Sequence, residues 1–357
     1  MKTLDRYITV NLLKGFVVVM LLLLAIFTFL DFVEELDDIS QGKYEIADAF
    51  VYVMLTAPER ALTLVPVAAL LGCLLGFGSL DHHHELVAMR TIGVSAQRIG
   101  WSALKFSIML IVVLVVAAEF VVPVLAQRAW NERTLAISGD VLLRTENGNS
   151  FWFRDGHRFI SIGDMLYGRI PTNIDIYEFS DDGELTKFTH AAEAEIAGNN
   201  AWLLKDVSEK QLQGWKVTTR QHPTLYWTSF LSPQQGAVME LKAESLAPTD
   251  LYVYARDLRA RGQSADRYEL AMWRKANIPL TTAAMVMIAI PFVFGAFEMS
   301  TTGQRVLAGS GVGIAFYLID QILAQAGLLV GVNPAITATL PTALLLGIAL
   351  MMARRIR

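Results

Sequence analysis

Six blocks of nearly continuous apolar residues, three toward each end of the chain, constrain the fold more than any other feature of this sequence. A helix needs roughly 20 mostly apolar residues to cross a bilayer, and six segments reach that length. The first runs from about Leu12 to Leu30, with Lys14 placed to snorkel toward headgroups. It is followed by Asp31, Glu34, Glu35, Asp37 and Asp38 and by no small-residue cleavage site, so it reads as a retained span and not a signal peptide. The second lies between Ala61 and Leu80, behind a shorter stretch from Ala49 to Ala57; Pro58 and Pro66 predict a bent or broken helix. The third, from about Trp101 to Val122, is expected to stop at Pro123, and Ile278 to Phe297, Val306 to Leu329 and Ala335 to Ala353 complete the set.

Between the third and fourth blocks the chain reads as ordinary polar sequence. The charged fraction of 18% is therefore an average over two kinds of segment, lower than the ~25% usual for soluble chains. One soluble globule, a disordered chain and a bare helical bundle are all excluded. A net charge of -4 shows no basic excess and argues against nucleic acid as a partner. The single cysteine, Cys73, excludes an intrachain disulfide and a cysteine metal cluster.

Orientation follows from the basic residues of the short loops. Lys2, Arg6, Arg90, Arg98, Arg305, Arg354, Arg355 and Arg357 fall on one side of a six-span topology, which makes that side, and both termini, cytoplasmic. The first-to-second loop carries the acidic run and only Lys43, and it lies outside together with the insert, in the periplasm of a bacterium. The expected organisation is residues 1–126 for helices 1–3 with a cytoplasmic helix at about 81–93. Residues 127–247 form a β domain, 248–277 a helical stalk, and 278–357 helices 4–6.

Within the insert, short runs of β-formers alternate with turn signals. Phe151-Trp152-Phe153 sits between Asn147-Gly148 and Asp155-Gly156; Ile174 to Phe179 alternates apolar and polar before Asp181-Asp182-Gly183. Glu193 to Ile196, Gly198-Asn199-Asn200, Ala201 to Val207, Trp215 to Thr219 and Leu225 to Trp227 continue the series. Such spacing predicts a sandwich or jelly roll whose aromatics form a core or, on the sharper reading, a groove for an acyl chain. After Pro248, Leu251, Tyr254 and Leu258 recur at helical spacing and Gly262 punctuates before Tyr268, Met272 and Trp273. The fold class is thus an α-helical membrane protein, six transmembrane helices as 3+3, with an inserted periplasmic all-β domain of sandwich or jelly-roll type.

Asp81-His82-His83-His84-Glu85 suggests a metal site, yet only His82 and Glu85 share a helix face, so metal is the weaker reading. The stronger one is a short helix capped by Asp81, carrying Glu85, Leu86 and Met89 and ended by Gly93, that docks on a soluble partner. No phosphate-binding loop, G-x-S-x-G elbow or H-E-x-x-H occurs, so the chain is expected to be no enzyme, and any ATPase is another chain. Asp320 beside Gln321 and Glu119 are ionisable groups at or near membrane depth; Arg128 and Arg133 lie just outside the third span. An intramembrane enzyme joining the histidines to Glu119 or Asp320 conflicts with the topology, which sets them on opposite sides. A membrane anchor displaying a β domain leaves the docking helix without a role.

These features resemble the LptF/LptG permease family of the lipopolysaccharide exporter over nearly the whole chain. The resemblance rests on Leu4-Asp5-Arg6-Tyr7, Pro58, Pro66 with Ala68 to Gly72, Glu85-Leu86-Val87 with Met89 and Gly93, Glu119 and Pro123. It continues through Arg267-Tyr268, Met272-Trp273, Lys275, Pro279, Phe316-Tyr317 and Asp320-Gln321; Met272-Trp273 and Asp320-Gln321 favour the LptG branch over the LptF-type alternative. The family implies pairing with an LptF-like permease and an LptB-like ATPase dimer, which binds the ATP and Mg while this chain binds no cofactor. Lipopolysaccharide or a related glycolipid would then pass to LptC and LptA-like periplasmic jelly-roll proteins. Glu85 falls on the family's coupling glutamate, with Leu86, Met89 and Gly93 in the same helix. The first and fifth spans would be lateral gates, with Phe27, Leu30, Asp31, Phe316, Tyr317, Ile319 and Asp320 along the lipid path, and Arg128 and Arg133 facing phosphate. One departure stands out: the family places lysines where this chain has Asp31, Asp37 and Asp38, so the phosphate site is relocated, shared with the partner subunit, or facing a less anionic glycolipid, and the expectation taken is the last, a head group with fewer phosphates.

Overall fold

The computed structural model describes residues 2–39, 44–138, 142–144, 151–155, 157–166, 170–180, 183–197, 201–213, 216–228, 243–260, 264–294 and 301–354. Expectations for Lys43, Asn147-Gly148, Gly156, Asp181-Asp182, Gly198 to Asn200, Trp215, Gly262, Phe297, Arg355 and Arg357 fall outside these residues. Nine helices occur among the described residues: α1 (Lys2–Glu35), α2 (Ile46–His82), α3 (Glu85–Thr91), α4 (Ala96–Val116), α5 (Val122–Ser138), α6 (Pro248–Ala260), α7 (Asp266–Val293), α8 (Thr302–Val330) and α9 (Pro334–Arg354). Six continuous helical stretches among them are long and apolar enough to cross a membrane, and α4 and α5 together make one.

Two boundaries differ from the sequence expectation, both at proline. α2 runs unbroken through Pro58 and Pro66. The Thr56 and Thr63 hydroxyls donate to the carbonyls of Val53 and Arg60, which adds donors near the positions where the proline rings remove them. Pro123 does not stop the third span either; α4 passes through a π-helical turn, Ala117–Val121, into α5. The Val122 N–H reaches back five residues to the Ala117 carbonyl, so the helix widens into a π turn just before the proline ring.

By its contacts the chain divides into two compact units, residues 1–34, 53–126 and 243–357 in one and residues 35–52 and 127–242 in the other. In the first unit the core runs along α2, with Leu70, Leu74 and Phe77 fully buried, and gathers Ile8 and Leu12 of α1, Phe106 of α4 and Met285 of α7. α1 and α2 cross at glycine: a methyl group on Gly15 would stand 2.9 Å from the Gly76 nitrogen and closer still to the Gly72 carbonyl. Small residues at a crossing let two backbones touch, and lipid-embedded helices gain their packing this way.

The second unit contains a seven-stranded antiparallel sheet in simple chain order: β1 (Leu142–Arg144), β2 (Phe151–Asp155), β3 (Arg158–Leu166), β4 (Ile170–Phe179), β5 (Leu185–Ala197), β6 (Ala201–Gln213) and β7 (Lys216–Thr228). The described part of the first run, Lys216 to Thr219, and the run Leu225 to Trp227 merge into the single strand β7. One face buries Ile160, Ile162, Ile174, Ile176, Ala191, Ala194, Trp202, Leu204 and Val207. Along β5 and β6 the inward residues are three apart, Ala191 to Ala194 and Leu204 to Val207, where a regular strand would give two. The strand registers place Gly163, Asn173, Ala192, Asp206 and Pro223 in one row across five strands. The five residues face one another one for one, so no strand gains a residue here; Asn173 and Asp206, with left-handed φ of 52° and 51°, mark a line along which side-chain direction switches and the sheet bends. The bend brings Trp227 under Arg158 and Lys187, each 5.7 Å from its ring. Thr218 pairs with Gln211, which pairs with Lys187. Trp227 is nine residues further along β7 than Thr218, about 30 Å in a flat sheet, so the sheet folds over onto its own core.

Candidate functional site

α3 is a seven-residue helix set between α2 and α4. It does not begin at Asp81. That residue sits in the last turn of α2, and the chain turns at His84, whose φ of 59° is left-handed, before Glu85 opens α3. The end is as the sequence suggests: Gly93 has φ 90°, its N–H bonds the Arg90 carbonyl, and the Val94 N–H reaches Met89, a Schellman closure. Leu86 and Met89 are the correction here. They are 3% and 9% exposed and belong to this chain's own core, whereas Val87 and Ile92 are 53% and 80% exposed and form the apolar part of the outer face with Arg90. Helical spacing shows that an apolar stripe exists but not which of two neighbouring stripes turns inward, so Val87 and Ile92 were not distinguishable beforehand. The histidines do not gather around a cation: His82 and His83 meet edge to face, and His83 Nδ1 lies 2.7 Å from the Ser79 carbonyl. Among the described residues no group of His, Cys, Asp and Glu has metal-binding geometry.

Two ties join this segment to distant helices. The Tyr7 hydroxyl of α1 donates to Glu85 Oε2 at 2.7 Å. At the other end of the segment, Arg305 of α8 donates to Asp81 at 2.7 Å. The same end of α1 is fastened to α4, where Ser102 Oγ and Lys105 Nζ donate to Asp5 at 2.9 and 2.5 Å.

α1 and α8 are the least covered of the apolar helices. Leu30, Tyr317 and Ile319 are exposed, and Phe27 and Phe316 are half-buried, Phe316 against the core. The charges among them are paired. Asp31 takes two hydrogen bonds from Arg60 of α2, at 2.5 and 2.8 Å. Asp320 takes one from Arg274 of α7 at 2.5 Å, and Arg274 also reaches Gln321 at 3.2 Å. Glu119, within the π turn, accepts from the Thr249 hydroxyl; Lys275 donates to the Leu246 carbonyl at 2.6 Å.

In the second unit Arg133 is enclosed. It donates to Glu35 and Asp38 and is ringed at 5.4–6.0 Å by Tyr52, Trp130 and Tyr44. Tyr44 in turn donates to Glu35 at 3.0 Å. Burial and then the Glu35 charge push the Tyr44 phenol well above the ordinary tyrosine range, so it stays a neutral donor. Burial works against the Arg133 charge, but the hydrogen bond it donates to Glu35, together with the nearby negative charges of Glu35 and Asp38, raises its pKa and holds the guanidinium protonated. Arg133 is thus occupied by two carboxylates of this chain, while Arg128 is exposed to solvent. The signal for this cluster was in the sequence, an acidic run in one segment and a basic residue about a hundred positions later, but nothing there shows that the two meet.

The comparisons agree with this geometry. The family model described as "Lipopolysaccharide export system permease LptF/LptG" matches residues 6–355. The chain is 32% identical over 343 residues to the lipopolysaccharide export system permease protein LptG of Haemophilus influenzae, covering 96% of this chain and 95% of that relative. It is 33% identical over 354 residues to LptG of Escherichia coli K12, covering 99% and 98%.

Proposed function

This chain belongs to the LptF/LptG family of lipopolysaccharide export permeases, multi-pass proteins of the inner membrane, and from that premise we propose that it is the LptG-type subunit of an ATP-driven exporter. It pairs with an LptF-like permease, and a separate LptB-like ATPase dimer supplies the hydrolysis. Both termini and α3 face the cytoplasm and the β domain faces the periplasm. There the folded sheet hands lipopolysaccharide or a related glycolipid to LptC-like and LptA-like proteins.

One observation carries the reading: a compact helix between two apolar spans presents Glu85 beside an apolar outer face, Val87 and Ile92, that is exposed among the described residues. A carboxylate next to exposed apolar side chains is the surface a basic groove of a soluble partner recognises, charge fixing the register and packing giving affinity. The uncovered apolar faces of α1 and α8, including Leu30 and Ile319, supply the membrane side of the lipid path.

The test is reconstitution with the ATPase and the partner permease in proteoliposomes holding the glycolipid. Glu85→Ala is expected to abolish ATP-driven lipid release; release at the wild-type rate from an assembled Glu85→Ala complex would overturn the assignment.

A further inference from the structure

We propose that Tyr7 and Arg305 are positioning residues that tie the two membrane walls, α1 and α8, to opposite ends of the segment Asp81 to Glu85, so that one displacement of α3 moves both walls together. The inference rests on the reading of α3 as the docking helix and deepens it by naming how the movement leaves that helix.

The geometry is that of two linked levers. Tyr7 holds Glu85 at 2.7 Å and Arg305 holds Asp81 at 2.7 Å, on either side of the left-handed turn at His84. Each helix then leans on α2 at glycine a short way along. For α1 the support is Gly15 against Gly72 and Gly76. For α8 it is Gly309, where a methyl group would crowd Leu71 and Leu74, and Gly313, where it would stand 2.9 Å from Val67. Beyond those supports lie the exposed apolar faces. At 1.5 Å per residue the arm from Tyr7 to Gly15 is about 12 Å and the arm from Gly15 to Asp31 about 24 Å, so a rigid α1 would double, and reverse, a displacement applied at Tyr7.

The contacts also explain an arrangement that packing alone does not require. Glu85 spends its hydrogen bond on a tyrosine in a helix 78 positions away, and Arg305 is nearly buried although it stands in the first turn of a span. A polar link between two elements with separate apolar supports transmits position without demanding a shared core.

The experiment uses the full complex, this chain with its permease partner and ATPase, in nanodiscs containing the glycolipid. Spin labels at the exposed far-arm positions Phe29 on α1 and Leu329 on α8, each paired with a label on α9, report helix movement between the nucleotide-free and vanadate-trapped states. Tyr7→Phe is expected to remove the nucleotide-dependent shift of the α1 label and keep that of α8, and Arg305→Gln the reverse. Each should lower the lipid released per ATP hydrolysed by about 2- to 30-fold, the range that residues along a coupling route command. Arg305→Lys should restore it, and Asp81→Asn serves in place of Arg305→Gln should that variant not assemble. Wild-type movement that persists in both helices of both variants, with unchanged lipid per ATP, overturns the proposal and leaves the docking reading standing. Absence of nucleotide-dependent movement in the wild type, with Glu85→Ala indifferent, overturns both.

Discussion

The crossing of α1 and α2 can be tested by a single added methyl group. In Gly15→Ala that methyl would lie 2.9 Å from the backbone nitrogen of Gly76 and closer to the Gly72 carbonyl, against an ordinary carbon contact of about 3.5–4.0 Å. Both obstacles are backbone, so no side chain can rotate away; the helices must separate by roughly 1 Å along the contact. A radial gap of that size forfeits about a quarter to a half of the local dispersion well, and overpacking of this kind costs about 1–3 kcal/mol. Alanine returns up to about 1 kcal/mol through helix propensity, leaving a net loss of up to about 2 kcal/mol. Gly311 and Gly347 are the controls, because each sits in a helix with open space where its methyl would go, so alanine there should be neutral or stabilising. Cys73, the only cysteine and fully buried one residue from the crossing, provides the assay: a thiol-reactive dye labels it only as the first unit opens. The labelling midpoint of Gly15→Ala should fall by on the order of 5 °C while those of Gly311→Ala and Gly347→Ala hold or rise. If all three variants melt alike, α1 and α2 do not touch as described and the support beneath the lever is absent.

Two further outcomes follow from the paired charges. Arg133→Ala leaves Glu35 and Asp38 together beneath three aromatic rings and should destabilise the second unit by about 3 kcal/mol, against no more than about 0.5 kcal/mol for the exposed Arg128→Ala; denaturation followed by tryptophan fluorescence separates them, and equal effects would show that Arg133 is not enclosed. Glu35 and Asp38 already neutralise Arg133, so this cluster offers phosphate no spare cation, and mass spectrometry of the source's outer-membrane glycolipid should find a lipid A with fewer phosphates. A fully phosphorylated lipid A bound at this site would sink that expectation.

Much of the fold was legible because its signals are local. Six apolar blocks became six helical stretches, and the β-formers between turn signals became strands with alternating burial. Failures came wherever the outcome depended on a second element. Proline reads as a breaker, yet Pro58 and Pro66 lie within α2, and Pro123 lies in the first turn of α5 directly after a π turn. Leu86 and Met89 fit a docking stripe as well as Val87 and Ile92 do, and only the neighbouring helices decide which pair is covered. The row through Gly163, Asn173, Ala192, Asp206 and Pro223 combines one glycine, one proline and three other residues, which align only once the register of all five strands is known.

The same limit governs the acidic run after the first apolar block, which read as a repulsive patch in the path of an anionic lipid. Sequence gives the sign of each charge but not its partner. In the structure Asp31 is held by Arg60, and Glu35 and Asp38 close on Arg133. Three of the carboxylates therefore act as fasteners, Asp31 joining α1 to α2 and the other two closing the aromatic cluster around Arg133. This moves their consequence from electrostatics toward mechanics. A pair such as Asp31 with Arg60, partly exposed, contributes little to stability, so it can open when α1 tilts about Gly15 without a large barrier. Its location at the far end of that arm makes it the contact most displaced by any movement that Tyr7 receives from Glu85.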